Sequence, residues 1–270
     1  MQAAAATQPS QSTAPRSAKG SAKSARAVWA TLYDRRMPQL KSVASKVFLD
    51  GMNAIGLAAD DVPTLEGVNE KLVPRTGWRA VEAAGFLPAK DFFESLAQRR
   101  FPTVTRVRSE EELDYTPEPD IFHDVFGHVP MHAHPVFADF LQRFGEVAAR
   151  ATTETARQRL TRLFWFTVEF GLIREKGCVK VYGSGLISSH GECAHSLSED
   201  CLRRPFDLED VMAQSFRHDE MQPVLFVIED YWQLFDAIER AERMLMCGAL
   251  DHPLENAVVE KHGRGCCDLV

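Results

Sequence analysis

A mainly α-helical chain with a few short β-strands, an α+β fold in one helical catalytic domain, is predicted by three observations. Apolar residues recur at three- and four-residue steps through most of the chain. The extended runs are short and scattered. Neither an internal repeat nor a regular βαβ alternation is present, which argues against a doubly wound sheet.

Residues 1–27 are built almost wholly of Ala, Ser, Thr, Gln, Pro, Lys and Arg, without an acidic residue, and read as a disordered tail. Helical spacing begins with Val28 and Leu32 and continues through Leu40, Val43, Val47, Phe48 and Ile55, predicting two helices broken at Pro38. A helix follows Pro63 and ends near Pro74; Trp78 to Phe86 is extended; Pro88 opens a helix holding Phe92, Phe93 and Leu96. A short strand at Val104 to Val107 and a short helix from Asp120 to Phe126 come next. Long helices near 134–150 and 155–176, extended pieces at Lys180 to Ile187 and Val224 to Ile228, and a last helix from Tyr231 to Met246 complete the reading. The catalytic domain is thus placed at 28–248 and a C-terminal tail at 249–270.

At 270 residues and 45% hydrophobic content the chain can bury one sizeable core. Its net charge of -7 offers no long-range attraction to nucleic acid or an anionic membrane, so neither is an expected partner. No apolar run reaches the roughly 18 to 20 residues that span a bilayer, and no secretion signal is evident, so a cytoplasmic protein is expected. The six cysteines lack paired C-x-x-C spacing and are read as reduced thiols. The final Cys-Asp-Leu-Val formally fits a prenylation site, but Asp268 stands where an aliphatic residue belongs, and the segment is read as tail.

Two stretches carry chemistry. In PEPDIFHDVFGHVPMHAHP, residues 117–135, His123 and His128 lie about 140° apart on a regular helix, too far round to share one ligand. Gly127 is expected to end that helix in a left-handed turn, and Pro130 to prevent its continuation, so that the chain folds back and the imidazoles converge. In LFWFTVEFGLI, residues 163–173, Glu169 is the one charge in an apolar run. A helix apolar on every face is buried on every face, so this carboxylate needs a cation, a partner or a proton. Two imidazoles and one carboxylate form a facial triad suited to non-haem Fe(II), and the same set also serves catalytic zinc. The absence of H-E-x-x-H and the aromatic neighbours Phe122, Trp165, Phe166 and Phe170 favour iron and a ring-shaped substrate.

The segments YTPEPDIFHDVFGHVP (115–130), FWFTVEFGL (164–172) and VYGSGLISSHGE (181–192) resemble the pterin-dependent aromatic amino acid hydroxylases, a likeness running from about Val28 to about Met246. The resemblance implies a monooxygenase that uses Fe(II), a tetrahydropterin and dioxygen to hydroxylate the ring of L-phenylalanine to L-tyrosine. One oxygen atom goes to the pterin and the other to the ring. It implies iron on His123, His128 and Glu169. The amino acid carboxylate falls to Arg108, with Thr116 and Ser188 as helpers, and the substrate pocket to Pro119, Trp165, Phe170, Gly185 and Glu192. The pterin falls to Gly85, Leu87, Phe92 and Asp124. His132 and His134 have no matched role and read as surface or capping residues; His190 and His195 likewise lack a ligand role. Two departures stand out: His218 occupies a normally apolar position near the substrate, and Phe164 replaces a tyrosine of the expected water network. Tryptophan as substrate, meta hydroxylation and a His2Glu zinc hydrolase remain alternatives. Without the extra length of animal relatives, a monomer is expected.

Overall fold

The computed structural model describes residues 18–252 except Phe86, Tyr115 and Pro117. Expectations for residues 1–17 and 253–270, including the terminal Cys266 and Cys267, lie outside the described residues. Helix α1 spans Ala18–Val43 and so begins ten residues before the expected domain start, in a segment whose alanines favour helix. It also runs through Pro38. An interior proline opposes a helix by about 3 kcal/mol. Here that is offset by the burial of Val28, Trp29, Leu32, Arg36 and Leu40 along α1. The chain breaks instead at Ala44 and Ser45, where Ser45 N–H donates to the Val181 carbonyl at 2.8 Å and its hydroxyl caps α2 (Lys46–Ile55).

Thr64 caps α3 (Leu65–Thr76). Strand β1 (Arg79–Ala83) then pairs in parallel with β2 (Arg100–Val104) across the helix α4 (Ala89–Ala97). Strand β2 thus precedes the expected 104–107: Pro102 masks it in sequence, yet a two-stranded sheet consists of edges, where proline is tolerated. After α5 (Val129–His132), α6 (Pro135–Ala148) and α7 (Glu154–Phe164), the expected helix to 176 stops early. It closes in a π-helical turn at Trp165–Glu169, and Leu172–Glu175 becomes strand β3. Apolar runs of this kind do not declare helix or strand by periodicity, and here pairing with neighbouring strands decides.

Strand β3 pairs with β4 (Cys178–Val181) antiparallel and with β6 (Val224–Ile228) parallel, while β5 (Leu202–Pro205) borders β6, giving the order β4-β3-β6-β5. Only the first part of the expected extension at 180–187 is strand, because Gly183 leads into α8 (Ser184–Ser188). Helices α9 (His190–Ser196), α10 (Leu208–Ala213) and α11 (Trp232–Met246) follow. The expected tail is ordered at its start: Ala249–Asp251 form a 3-10 turn with Leu250 fully buried. The fold is mainly helical with six short strands among the described residues, as predicted.

His132 is corrected from surface to core. It is 0% exposed, stacks on Trp78 at 4.9 Å and 19°, and neither ring nitrogen has a hydrogen-bond partner among the described residues. Its place at the end of α5, against α3 and β2, turns it inward. His134 occupies the N-terminal cap position of α6, half-buried, without a side-chain cap bond. Burial drives His132 well below its ordinary 6.5, so below that pH the unfolded chain takes up a proton that the fold refuses. The stability tied to a neutral His132 is therefore complete above 6.5 and is lost progressively as pH falls below it. His132→Phe removes the unpaired nitrogens while keeping the stack. We expect it to raise stability by about 1–2 kcal/mol at neutral pH, and by more at pH 5.5. Denaturation at both pH values checks this; metal loss in the variant would give His132 a role at the site instead.

Candidate metal centre

The two imidazoles converge by a route the sequence did not suggest. Gly127 has no positive φ and the helix does not end there. Residues Phe122–His128 form a π-helical segment that continues directly into α5. Because a π turn closes between residues i and i+5, His123 and His128 stand one turn apart on the same face. Gly127 serves a different need: a Cβ there would lie 3.1 Å from the Ser184 carbonyl oxygen, so its absence lets α8 approach.

Glu169 ends the other π turn, closed by Phe170 N–H to the Trp165 carbonyl at 2.8 Å. A Cβ on Gly183 would fall 2.4 Å from the Glu169 carbonyl oxygen, so only glycine lets the chain pass this close to the Glu169 backbone. His128 Nε2 lies 3.2 Å from Glu169 Oε1 and His123 Nε2 lies 3.6 Å from Oε2. The three ligating atoms lie within 4.8 Å of one another. Bonds of about 2.1 Å at right angles place adjacent donors about 3 Å apart, so the set fits a metal ion of this kind.

The surroundings orient each group. Ser188 Oγ meets His123 Nδ1 at 3.0 Å and donates to the Ser184 carbonyl at 2.8 Å, while Ser184 Oγ donates to Glu169 Oε2 at 2.6 Å. Burial pushes His123 down to about 4, leaving it uncharged at neutral pH. Burial also opposes a charged Glu169, but the neighbouring His128 and the Ser184 hydroxyl outweigh it and favour the carboxylate. A half-buried carboxylate facing imidazole nitrogens is the charge pattern that a divalent cation completes.

Arg108 is buried and gripped by Asp120, whose Oδ2 and Oδ1 accept from Nε at 2.9 Å and Nη2 at 2.8 Å. The same carboxylate accepts the His123 backbone N–H at 3.0 Å, tying the arginine to the first imidazole's turn. Nη1 has no hydrogen bond among the described residues, leaving one edge of the guanidinium for a ligand. Thr116 bonds to Arg106 and the Glu118 carbonyl, and Ser188 to His123 and Ser184, so neither bonds to Arg108. Trp165 stacks on Phe216 at 4.3 Å and 10° and contacts Phe170 at 4.6 Å; its buried indole N–H has no partner among the described residues. The exposed His218 sets its ring edge-on to Trp165 at 4.8 Å. Gly185 admits the Phe170 ring, which a Cβ would meet at 3.0 Å. Glu192 keeps one buried oxygen without a partner, and burial pushes it up.

Pro119 and Gly85 line one cavity of about 170 Å³ together with Ala84, Val104, Arg106 and Glu118. Leu87 is 40% exposed, while Phe92 is half-buried and packs edge-on against Phe164 at 5.4 Å. Asp124 is buried, accepts Val104 N–H at 2.7 Å, and is pushed up by burial to about 7. Sequence reasoning missed Asp120, Ser184 and Phe216. The first two stand inside quoted motifs, at E-P-D and at the i, i+4 serine pair, which is the signal that was available.

This fold and donor set belong to a recognised class. Residues 18–246 match the biopterin-dependent aromatic amino acid hydroxylase family, and the chain belongs to it. Among relatives, phenylalanine-4-hydroxylase of Ralstonia nicotianae is 43% identical over 212 residues, covering 78% of this chain and 68% of that protein. Among solved structures, Chromobacterium violaceum phenylalanine hydroxylase with bound oxidised Fe(III) superposes with a TM-score of 0.82 at 41% identity, over 88% of this chain and 87% of the other. The same enzyme with iron(III) and 7,8-dihydrobiopterin gives 0.80 at 40% identity, over 87% and 86%.

Proposed function

We propose that the chain hydroxylates L-phenylalanine at the para carbon to give L-tyrosine, using Fe(II), a tetrahydropterin and dioxygen. The observation that carries this is the convergence of the buried His128 with the partly buried His123 and Glu169 beside an aromatic pocket, in a chain of this family. Those three residues would hold the iron, which with the pterin activates dioxygen when bound. The protein's part is to position the reactants and keep them dry.

Arg108, steadied by Asp120, offers its free edge to the amino acid carboxylate, a pairing that guanidinium geometry suits. Trp165 and Phe170 with Pro119 and Gly185 bound the ring, with Thr116 and Glu192 at the polar end. Gly85, Leu87, Phe92 and Asp124 form the pterin side, where the Asp124 carboxyl is suited to a hydrogen bond with a heterocyclic N–H. Ser188 and Ser184 hold His123 and Glu169 in place.

The test is product identification with Fe(II), tetrahydropterin and each aromatic amino acid, on the wild type and on Trp165→Phe. Tyrosine from phenylalanine is expected from the wild type, and a higher tryptophan to phenylalanine turnover ratio from the variant, because a smaller ring wall admits a bicycle. Pterin-independent hydrolysis with zinc would overturn the reading. We also take the enzyme to act as a cytoplasmic monomer. Four free cysteines among the described residues and a net charge of -7 support that reading, and light scattering tests the oligomeric state.

A further inference from the structure

Arg36 is 2% exposed, yet its partners among the described residues include no carboxylate. Its Nε donates to the Ile187 carbonyl at 2.8 Å and Nη2 to the Leu186 carbonyl at 3.1 Å, and Nη1 donates to Gln39 Oε1. The contact to Ile187 spans 151 positions of sequence. A buried guanidinium without a counter-charge is costly, and a core packed with an apolar residue of similar size avoids that cost.

What it holds is specific. The Leu186 and Ile187 carbonyls lie at the C-terminal end of α8, where a helix leaves carbonyls without intrahelical donors and favours a cation. That single turn carries Ser184 against Glu169 and Ser188 against His123. Any rotation or fraying of α8 would move both hydroxyls from the ligands they orient. We propose that Arg36 is a positioning residue of the metal centre: by capping α8 from α1 it fixes Ser184 and Ser188, and through them the aim of Glu169 and His123. The inference rests on the ligand set proposed above.

The test is titration of the metal-free full-length protein with Co(II), followed by visible absorption, in Arg36→Lys and Arg36→Met. Lysine keeps the charge but cannot span both carbonyls and Gln39 with one planar fork, and it preserves a folded protein if methionine does not. Both variants are expected to weaken Co(II) binding by about 10 to 100-fold. Ile238→Ala, a cavity at a fully buried position of α11, which packs chiefly on α6, lowers stability and should leave the affinity within about two-fold. Ser188→Ala should weaken binding too, and Arg36→Lys added to it should cost less than the product of the single effects, since both act through one turn. In the iron-loaded enzyme, tyrosine formed per pterin oxidised should also fall. Wild-type affinity in Arg36→Lys, an equal loss in Ile238→Ala, or full multiplicativity with Ser188→Ala would overturn the proposal. A wild type that takes up no metal would instead overturn the ligand assignment.

Discussion

Glu169→Gln is expected to abolish coupled hydroxylation and to leave the protein largely without iron. The amide keeps the size of the side chain but removes the one negative charge of the donor set, and a neutral oxygen is a poor ligand for Fe(II). It also leaves His123 and His128 facing an uncharged group at 3.6 and 3.2 Å, so the imidazoles lose the anion that steadies them. His123→Ala should fail as completely through a lost nitrogen, freeing Ser188 from its 3.0 Å contact. A drop of at least about 1,000-fold in tyrosine formation is expected for each, taking one metal ligand as worth roughly 4 kcal/mol of transition-state stabilisation. Iron content by metal analysis, with melting to confirm folding, decides the matter. Normal iron and full activity in either variant would show the triad to be wrongly assigned. By contrast, His132→Ala and His134→Ala should retain iron.

Arg108→Ala carries the second large effect, in two separable parts. For catalysis, losing the guanidinium removes a charge-assisted pair to the substrate carboxylate and raises KM for every amino acid by a similar factor, on the order of 10 to 1,000-fold. For stability, it strands Asp120, which is 0% exposed and whose carboxyl burial opposes, though Arg108 now holds it in the charged form. Breaking one side of a buried pair costs about 3–5 kcal/mol. Arg108→Lys separates the two, because lysine keeps a charge beside Asp120 without the bidentate fork. It should recover most of the stability and little of the affinity. Steady-state kinetics on two amino acids with chemical denaturation reads both; a KM change confined to one substrate would show that Arg108 senses the ring end.

The chemical identity of the site was legible early because it depends on residue type. Two histidines beside a glycine-proline turn signal, and one carboxylate isolated among Phe164, Trp165, Phe166 and Phe170, are unusual enough to be read without coordinates. The elements were legible where an amphipathic period stood out from its flanks, as at α4 and α11. They were misread where tertiary contacts override local preference, at Pro38 within α1 and at Leu172 to Glu175 in the sheet.

Side-chain chemistry and order along the chain thus belong to the sequence itself: the donor set, the arginine, the aromatic wall and the predominantly helical class. Only the tertiary structure decided how His123 and His128 meet, because a π turn is a shift of hydrogen-bond register that leaves no mark on an apolar run. It alone paired Arg108 with Asp120, turned His132 into the core and set Arg36 on the end of α8. Each of these joins groups through space that periodicity, a property of near neighbours along one chain, does not encode.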